Sequence, residues 1–531
     1  MRSLGCVALV LLVAEGWAQT TVDTRLASEA GGAQGIFIRI TVPASARYGS
    51  LGAPVVIHVP GGFAPGGLSV ASPPWSLSGC IEIRFNFPGG GTGATASGGI
   101  YDERGSNCLK ALRDIVRFAL GLSTDTSGRS LAELVAPIVP LSTNVGMVGW
   151  SNGGNATLGV AGVHGSELTG LAWIVNWESP VGDGMANAEC GGRLASPYPN
   201  PLVNPAYDPN SGMWDMSSLT WDDTLQVARE VPALRGGLYF DINRNGALDT
   251  GSDFVLNPHL WGTPAGAKVY YSNRVIREAV ERHLLPLPPP SHIASPAETE
   301  AFWQYRNAEG WLSEVVRLLP HLMFLVVASE TDHVQNAPDH PHVLTQYEGL
   351  RAAGARLVRL NPDRAYVEHA LGHAVPSAAD NDAFVPLDHL TIRSALEPDP
   401  NSLPTNVTVA AAIYELADRT FTGNTLPQLD ATLTGVEKTA FSSPLAPRLW
   451  QNYPNPFSAA TIFGFSLGQD AHVQLEVFDL LGRSVAKVVD ADLRAGEHSV
   501  VLSTEGLPSG SYLCRLHAGP FVVSKTMQIL R

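Results

Sequence analysis

Cysteine, charge and long apolar runs are all scarce in this chain, and each scarcity removes a class of protein. Among 531 residues there are five cysteines, and none sits in a local motif that would mark a catalytic thiol. Charged side chains make up only 16%, and the net charge of -15 is spread along the chain without a basic face to meet nucleic acid or an anionic membrane. No segment of the body of the chain reaches the roughly 20 consecutive apolar residues of a spanning helix, so the mature protein is expected to have no membrane-spanning segment.

Apolar and small residues are what the chain has in quantity. Hydrophobic residues make up 45%, and there are 53 glycines. The length exceeds that of one ordinary domain, which predicts two domains and a large core. Arg2, the apolar stretch from Cys6 to Ala14 and the end at Gly16-Trp17-Ala18 read as a signal peptide over residues 1–18, with the mature chain starting near Gln19. Export would permit disulfides among Cys80, Cys108, Cys190 and Cys514. Three pairings are possible, and Cys80 to Cys108 is expected first because both lie in the same half of the first domain.

Periodicity predicts an α/β fold. Ile36 to Val42, Pro54 to Val59 and Ile81 to Phe87 read as strands, and Cys108 to Leu120 as a helix with Leu109, Leu112, Val116 and Leu120 on one face. Asn144 to Val148 is a buried strand, Gly154 to Ala161 a small-residue helix, and Leu171 to Val175 the next strand. From about 180 to 319 the alternation gives way to a segment rich in Pro, Gly, Asn and Trp, expected to be an insertion or cap where substrate enters. Strands resume at Leu322 to Val327 and Arg356 to Leu360. Between them a helix starts near Pro341, with Asp339 as its expected capping carboxylate. A helix around Val409 to Arg419 closes a domain spanning residues 19–421, and a linker follows over 422–447.

Residues 448–531 change texture. Val473, Leu475 and Val477 alternate with polar residues, and Val500 to Leu502 and Tyr512 to Leu516 are short strands between Gly and Pro turns, so a small all-β sandwich is expected. Leu449 to Phe457, Val477 to Arg483, Ala495 to His498, Leu507 to Tyr512 and Lys525 together resemble the C-terminal sorting domain of type IX secretion cargo. The resemblance implies the type IX secretion machinery as a partner and a destination outside the cell or on its surface, reached through the periplasm and across the outer membrane.

The candidate chemistry lies in the first domain. Gly149-Trp150-Ser151-Asn152-Gly153 follows a buried strand and precedes a small-residue helix, the context of a nucleophile elbow. With 53 glycines, chance supplies such a pentapeptide roughly 0.4 times, so that context carries the weight. An acyl-transfer serine needs N–H donors for the developing oxyanion. His58-Val59-Pro60-Gly61-Gly62-Phe63, after a strand, offers the N–H of Gly62 or Phe63, and Asn152 offers another. These features resemble the α/β-hydrolase family, from roughly Ile36 to Arg419 and interrupted by the insertion. The resemblance implies an acid after a late strand and then a histidine. Asp332 is the expected acid, with Glu330 and Glu178 as alternatives. His373 and His369 are the candidate bases, His389 comes late, and His333, His340 and His342 read as loop or helix-start residues.

In the insertion, Asp241, Asn243, Asn245, Ala247, Asp249 and Asp253 set oxygen donors around Gly246 as calcium loops do. Ser252 stands where an EF-hand has its bidentate glutamate. A structural Ca2+ is expected there, and no cofactor for catalysis. The whole predicts an exported serine hydrolase acting on a small-molecule or polymeric ester. Two alternatives stay open. One is a serine peptidase, since Gly149 to Gly154 also resembles the elbow of prolyl-oligopeptidase relatives, although only about 20 residues precede the first strand of the mature chain and leave no room for their propeller. The other is a surface binding protein on an inactive hydrolase scaffold.

Overall fold

The computed structural model describes residues 20–529 except 69–78, 183–188, 192–202, 228–230, 250, 263–265, 330–331, 333, 335–336, 364–365, 367–391, 393–404, 425–447, 450–451, 453–456, 459, 468–469, 480–482, 495, 504–505 and 520. The expected signal peptide therefore falls outside the described residues, as does the expected linker from 425 onward, while its first residue, Thr422, still belongs to a helix.

Eight strands form one mixed sheet: β1 Thr20–Ser28, β2 Gly32–Val42, β3 Ala53–Val59, β4 Ile81–Phe85, β5 Pro140–Trp150, β6 Leu171–Trp177, β7 Met323–Val327 and β8 Leu357–Leu360. Their spatial order is β1-β2-β4-β3-β5-β6-β7-β8. The first two pairings, β1 with β2 and β2 with β4, are antiparallel, and every later pairing is parallel. β1 is absent from the sequence expectation because its outer, polar side dilutes the pattern. Val22, Thr24, Leu26 and Ser28 alternate inward, two of them polar, and Leu26 joins the core. β3, by contrast, is buried at every residue, as a central parallel strand must be when both faces are covered.

Among the described residues the α-helices are α1 Ser106–Ala119, α2 Leu131–Val135, α3 Gly153–His164, α4 Asn273–Glu281, α5 Pro296–Trp303, α6 Leu312–Leu318, α7 Pro341–Ala352 and α8 Thr405–Thr422. Side chains alternate along the strands, so Val55, Ile57 and Val59 of β3 meet α1, α3, α6 and α7 on one face of the sheet. Val56, Val148, Trp173 and Leu325 meet α8 on the other.

That division corrects the expected disulfide. Cys80 packs with the α8 face and Cys108 with the α1 face, so the sheet separates them. All four described cysteines are free and buried, and burial pushes the thiols of Cys80 and Cys514 up to about 12. α7 brings a second correction. Its N-cap is His340, in a left-handed conformation and without a side-chain cap, while Asp339 accepts a hydrogen bond from the Tyr207 hydroxyl.

The excursion after β6 has its own core of Leu219, Leu238, Phe240, Phe254, Val269, Val275 and Ile276. A three-stranded antiparallel sheet of Leu219–Gln226, Arg235–Phe240 and Phe254–Val255, a hairpin of His259–Trp261 with Lys268–Tyr270, and α4 build it. Leu312, Val315, Val316 and Leu319, expected within the insertion, belong to the main core instead.

The tail forms a three-stranded and a four-stranded sheet. Phe463, Phe465 and Leu502 of the first share one buried cluster with Val473, Leu475, Val477, Cys514 and Leu516 of the second. Among the described residues no helix is long and apolar enough to cross a membrane.

Candidate active site

β5 ends at Trp150 and α3 begins at Gly153, so the chain reverses at Ser151 and Asn152. Ser151 holds φ at 48°, a left-handed conformation that costs a non-glycine residue about 1–3 kcal/mol and clusters at functional sites. The turn is pinned on both sides: the Ser151 N–H donates to the Trp177 carbonyl at 2.8 Å, and the Gly154 N–H donates to the Ser151 carbonyl at 2.9 Å. The glycines are steric requirements. A Cβ on Gly153 would lie 2.3 Å from the Val59 carbonyl oxygen, and one on Gly154 would lie 1.9 Å from Ser179 Oγ. The expected elbow is thus a strained strand-to-helix turn with a half-buried serine at its apex.

The segment expected to carry the oxyanion donors follows β3 and lies against the elbow. A Cβ on Gly61 would sit 2.7 Å from the Trp150 carbonyl oxygen and 3.0 Å from Ser151 Cβ, so only glycine allows this approach. Gly62 has φ at 62°. Asn152 ties the two turns together, its Nδ2 donating to the Gly62 carbonyl at 3.3 Å. Its backbone lies at the start of α3, where N–H groups have no partner within the helix. His58 takes no place beside the serine: its Nε2 pairs with Glu82 Oε2 at 2.9 Å, and both are buried.

Behind the turn stands Arg104, which no motif announced. It is fully buried, and its Nη2 donates to the carbonyls of Pro60 at 2.9 Å and Gly61 at 3.1 Å. Its guanidinium lies 4.0 Å above the Phe87 ring, and burial holds its pKa below the ordinary arginine value. The Tyr101 hydroxyl donates to the Phe63 carbonyl.

Asp332 lies beyond the C-terminal end of β7 and is fully buried. β6 alone separates β7 from β5, so the acid and Ser151 follow strands two places apart on the same edge of the sheet. Asp332 Oδ1 accepts the Val334 N–H at 2.7 Å, and Oδ2 pairs with His342 Nε2 at 2.9 Å. His342, read from the sequence as a helix-start residue, is thereby a direct partner of the expected acid. The signal was its place in the first turn of α7, but nothing in the sequence aimed that turn at Asp332. Glu178, the alternative after β6, is also buried at the sheet edge, with φ at 45° and an Oε1 that accepts the Ser329 hydroxyl at 3.3 Å. Glu330, His333, His369, His373 and His389 lie outside the described residues.

The loop between Arg235–Phe240 and Phe254–Val255 carries the expected calcium ligands. Asp241 and Asp253 are buried; Asp241 accepts the N–H groups of Asn245 and Gly246, and Asp253 those of Ile242 and Asp249. Asn243 and Asn245 both donate to Asp249 Oδ2, at 2.9 and 2.6 Å. The donor set is all oxygen, as a hard cation requires. Among the described residues no group of three or more His, Cys, Asp or Glu side chains is arranged to hold a metal.

Comparison with known proteins identifies the tail. Residues 451–529 match the family model described as the secretion system C-terminal sorting domain, so this part of the chain is a sorting domain of the type IX kind expected from its sequence. No curated protein matches the chain by sequence. Among solved structures, an arylesterase is similar at 14% identity and a TM-score of 0.23, covering 34% of this chain and 48% of its own. Dipeptidyl peptidase 4 of Porphyromonas gingivalis is similar at 12% and 0.28, covering 64% of this chain and 31% of its own. An esterase domain of a Rhodothermus marinus protein is similar at 13% and 0.23, covering 62% and 83%. The chain thus spans about half of the arylesterase and under a third of the peptidase. At such values the likeness assigns no activity.

Proposed function

We propose that the protein is an exported serine hydrolase that cleaves carboxylic esters through an acyl-enzyme on Ser151. The observation that carries this reading is the strained Ser151 turn with the Gly61-Gly62 turn pressed against it. A left-handed serine in van der Waals contact with a second glycine turn has no packing purpose that a glycine would not serve better. In the proposed reaction His373 or His369 takes the Ser151 proton as the hydroxyl oxygen attacks the ester carbonyl. Asp332, braced by His342, holds that imidazole in the required tautomer. The N–H of Asn152 and that of Gly62 or Phe63 receive the oxyanion, the alcohol leaves with the proton, and water then releases the acid.

The sorting domain supports export, with the secretion machinery as partner and the cell surface or medium as destination. Labelling by a fluorophosphonate probe and turnover of aryl esters test the reading. Both are expected in the wild type and absent from Ser151→Ala; full turnover by that variant would exclude the mechanism. In the insertion, a Ca2+ held by Asp241, Asn243, Asn245, the Ala247 carbonyl, Asp249 and Asp253 is proposed as structural. Millimolar Ca2+ is expected to raise the melting temperature by several degrees, and no change on chelation would refute it.

A further inference from the structure

We propose that Arg104 is the positioning residue of the oxyanion site: it fixes the Gly61–Gly62 peptide so that the Gly62 N–H, rather than that of Phe63, faces the reacting carbonyl. The proposal rests on the serine-hydrolase reading and deepens it. In a trans peptide the C=O and N–H point in opposite directions. Arg104 Nη2 draws the Gly61 carbonyl to itself at 3.1 Å, so the Gly62 N–H is turned away from Arg104. Gly61 is also where the turn touches the elbow, at Ser151 Cβ. The next peptide is oriented the other way. Its Gly62 carbonyl accepts Asn152 Nδ2 from the elbow, which turns the Phe63 N–H away from Asn152. The Phe63 carbonyl is in turn held by the Tyr101 hydroxyl, whose oxygen accepts from Arg104 Nη1 at 3.3 Å.

The arrangement is maintained at a cost. Glu103 and Arg104 are consecutive left-handed residues, with φ at 51° and 68°, and this backbone carries the guanidinium under the turn. Arg104 donates to two main-chain carbonyls and a phenol and also bonds the Cys108 thiol, and among the described residues no carboxylate accepts from it. A guanidinium buried without a neutralising acid is expensive. Placed behind two peptide dipoles that point their carbonyls at it, its charge polarises those peptides and strengthens the opposite N–H as a donor, which is the preorganised electrostatics an oxyanion requires.

The test compares wild type, Arg104→Met, Arg104→Lys and Tyr101→Phe, with every rate expressed per serine titrated by fluorophosphonate so that misfolded chains do not count. For Arg104→Met, kcat on an aryl ester is expected to fall about 10- to 100-fold, less than the 10²–10³ lost with an oxyanion donor itself. KM should stay within about threefold, and affinity for an arylboronic acid, whose adduct is tetrahedral and anionic, should fall by the same factor as kcat. Arg104→Lys should recover part of the loss, and Tyr101→Phe should lose about threefold. A merely structural role would lower the number of titrated serines and leave kcat per serine and boronate affinity unmoved, and that result overturns the proposal. Should Arg104→Met not fold, unchanged kcat and boronate affinity in Tyr101→Phe overturn it equally. A wild type that the probe does not label would overturn the serine-hydrolase reading as well; a labelled wild type with unaffected variants overturns this inference alone.

Discussion

The two faces of the main sheet are held by different physics. On the face covered by α1, α3, α6 and α7 the contacts are apolar almost throughout, with Leu109, Leu112, Ile115 and Val116 of α1 against Val55, Ile57 and Val145. The face covered by α8 has an apolar centre flanked by buried charge. Glu415 accepts from Arg359 at 3.1 Å and from Arg419 at 2.8 Å, and Arg47 grips Asp418 with two bonds at 2.7 and 2.8 Å. Burial opposes the ionisation of Glu415, but Arg359 and Arg419 outweigh it and hold its carboxyl below the ordinary value. The lesson is that α1, α3, α6 and α7 are placed by a continuous core, whereas α8, arriving after a long stretch of chain, is placed also by partners it must find individually.

The largest effect that would sharpen this contrast is expected from Glu415→Ala. It removes the carboxylate that two buried arginines share and should cost about 3–5 kcal/mol in a urea unfolding experiment. It should also slow fluorophosphonate labelling of the folded fraction, because α8 follows the segment that carries His369 and His373. Ile115→Ala, on the apolar face, should cost about 2–5 kcal/mol by leaving a cavity and should not alter labelling of the folded protein. Equal slowing by both variants would break the comparison. The smallest effect concerns Glu298, a solvent-exposed acid held down to about 2 by the Lys268 ammonium and the Ser295 N–H. Its folded value is depressed, so its contribution is complete above the unfolded value near 4.5 and is lost as pH falls toward 2. With its side chain 45% exposed, screening limits the contribution to about 1 kcal/mol or less. The stability difference between wild type and Glu298→Gln should therefore shrink between pH 5 and pH 2.

The apolar face was legible in the sequence for the reason that it is apolar. Strands at Pro54 to Val59 and Leu322 to Val327 were expected within a residue of where they lie, because buried parallel strands read as continuous runs. The elbow was legible too, since its steric demands fall on neighbouring glycines. The α8 face was not. A charged residue such as Arg359 or Glu415 reads as solvent-exposed until its partner, 56 residues away, is brought beside it. The same reason hid Arg104 behind the Gly61-Gly62 turn and His342 beside Asp332, and it made Cys80 and Cys108 look like neighbours when the sheet stands between them.

Glu415 has one more consequence. Its second oxygen accepts the N–H of Asp363, 52 residues earlier, at 2.6 Å, so the chain that leaves β8 is fastened to α8 at this carboxylate. A closed loop of that length is thermodynamically tolerant: doubling it would add only about 0.6 kcal/mol of closure entropy. On closure entropy alone, the length of chain between Asp363 and Glu415 can therefore change at little cost while the sheet and Ser151 stay as they are.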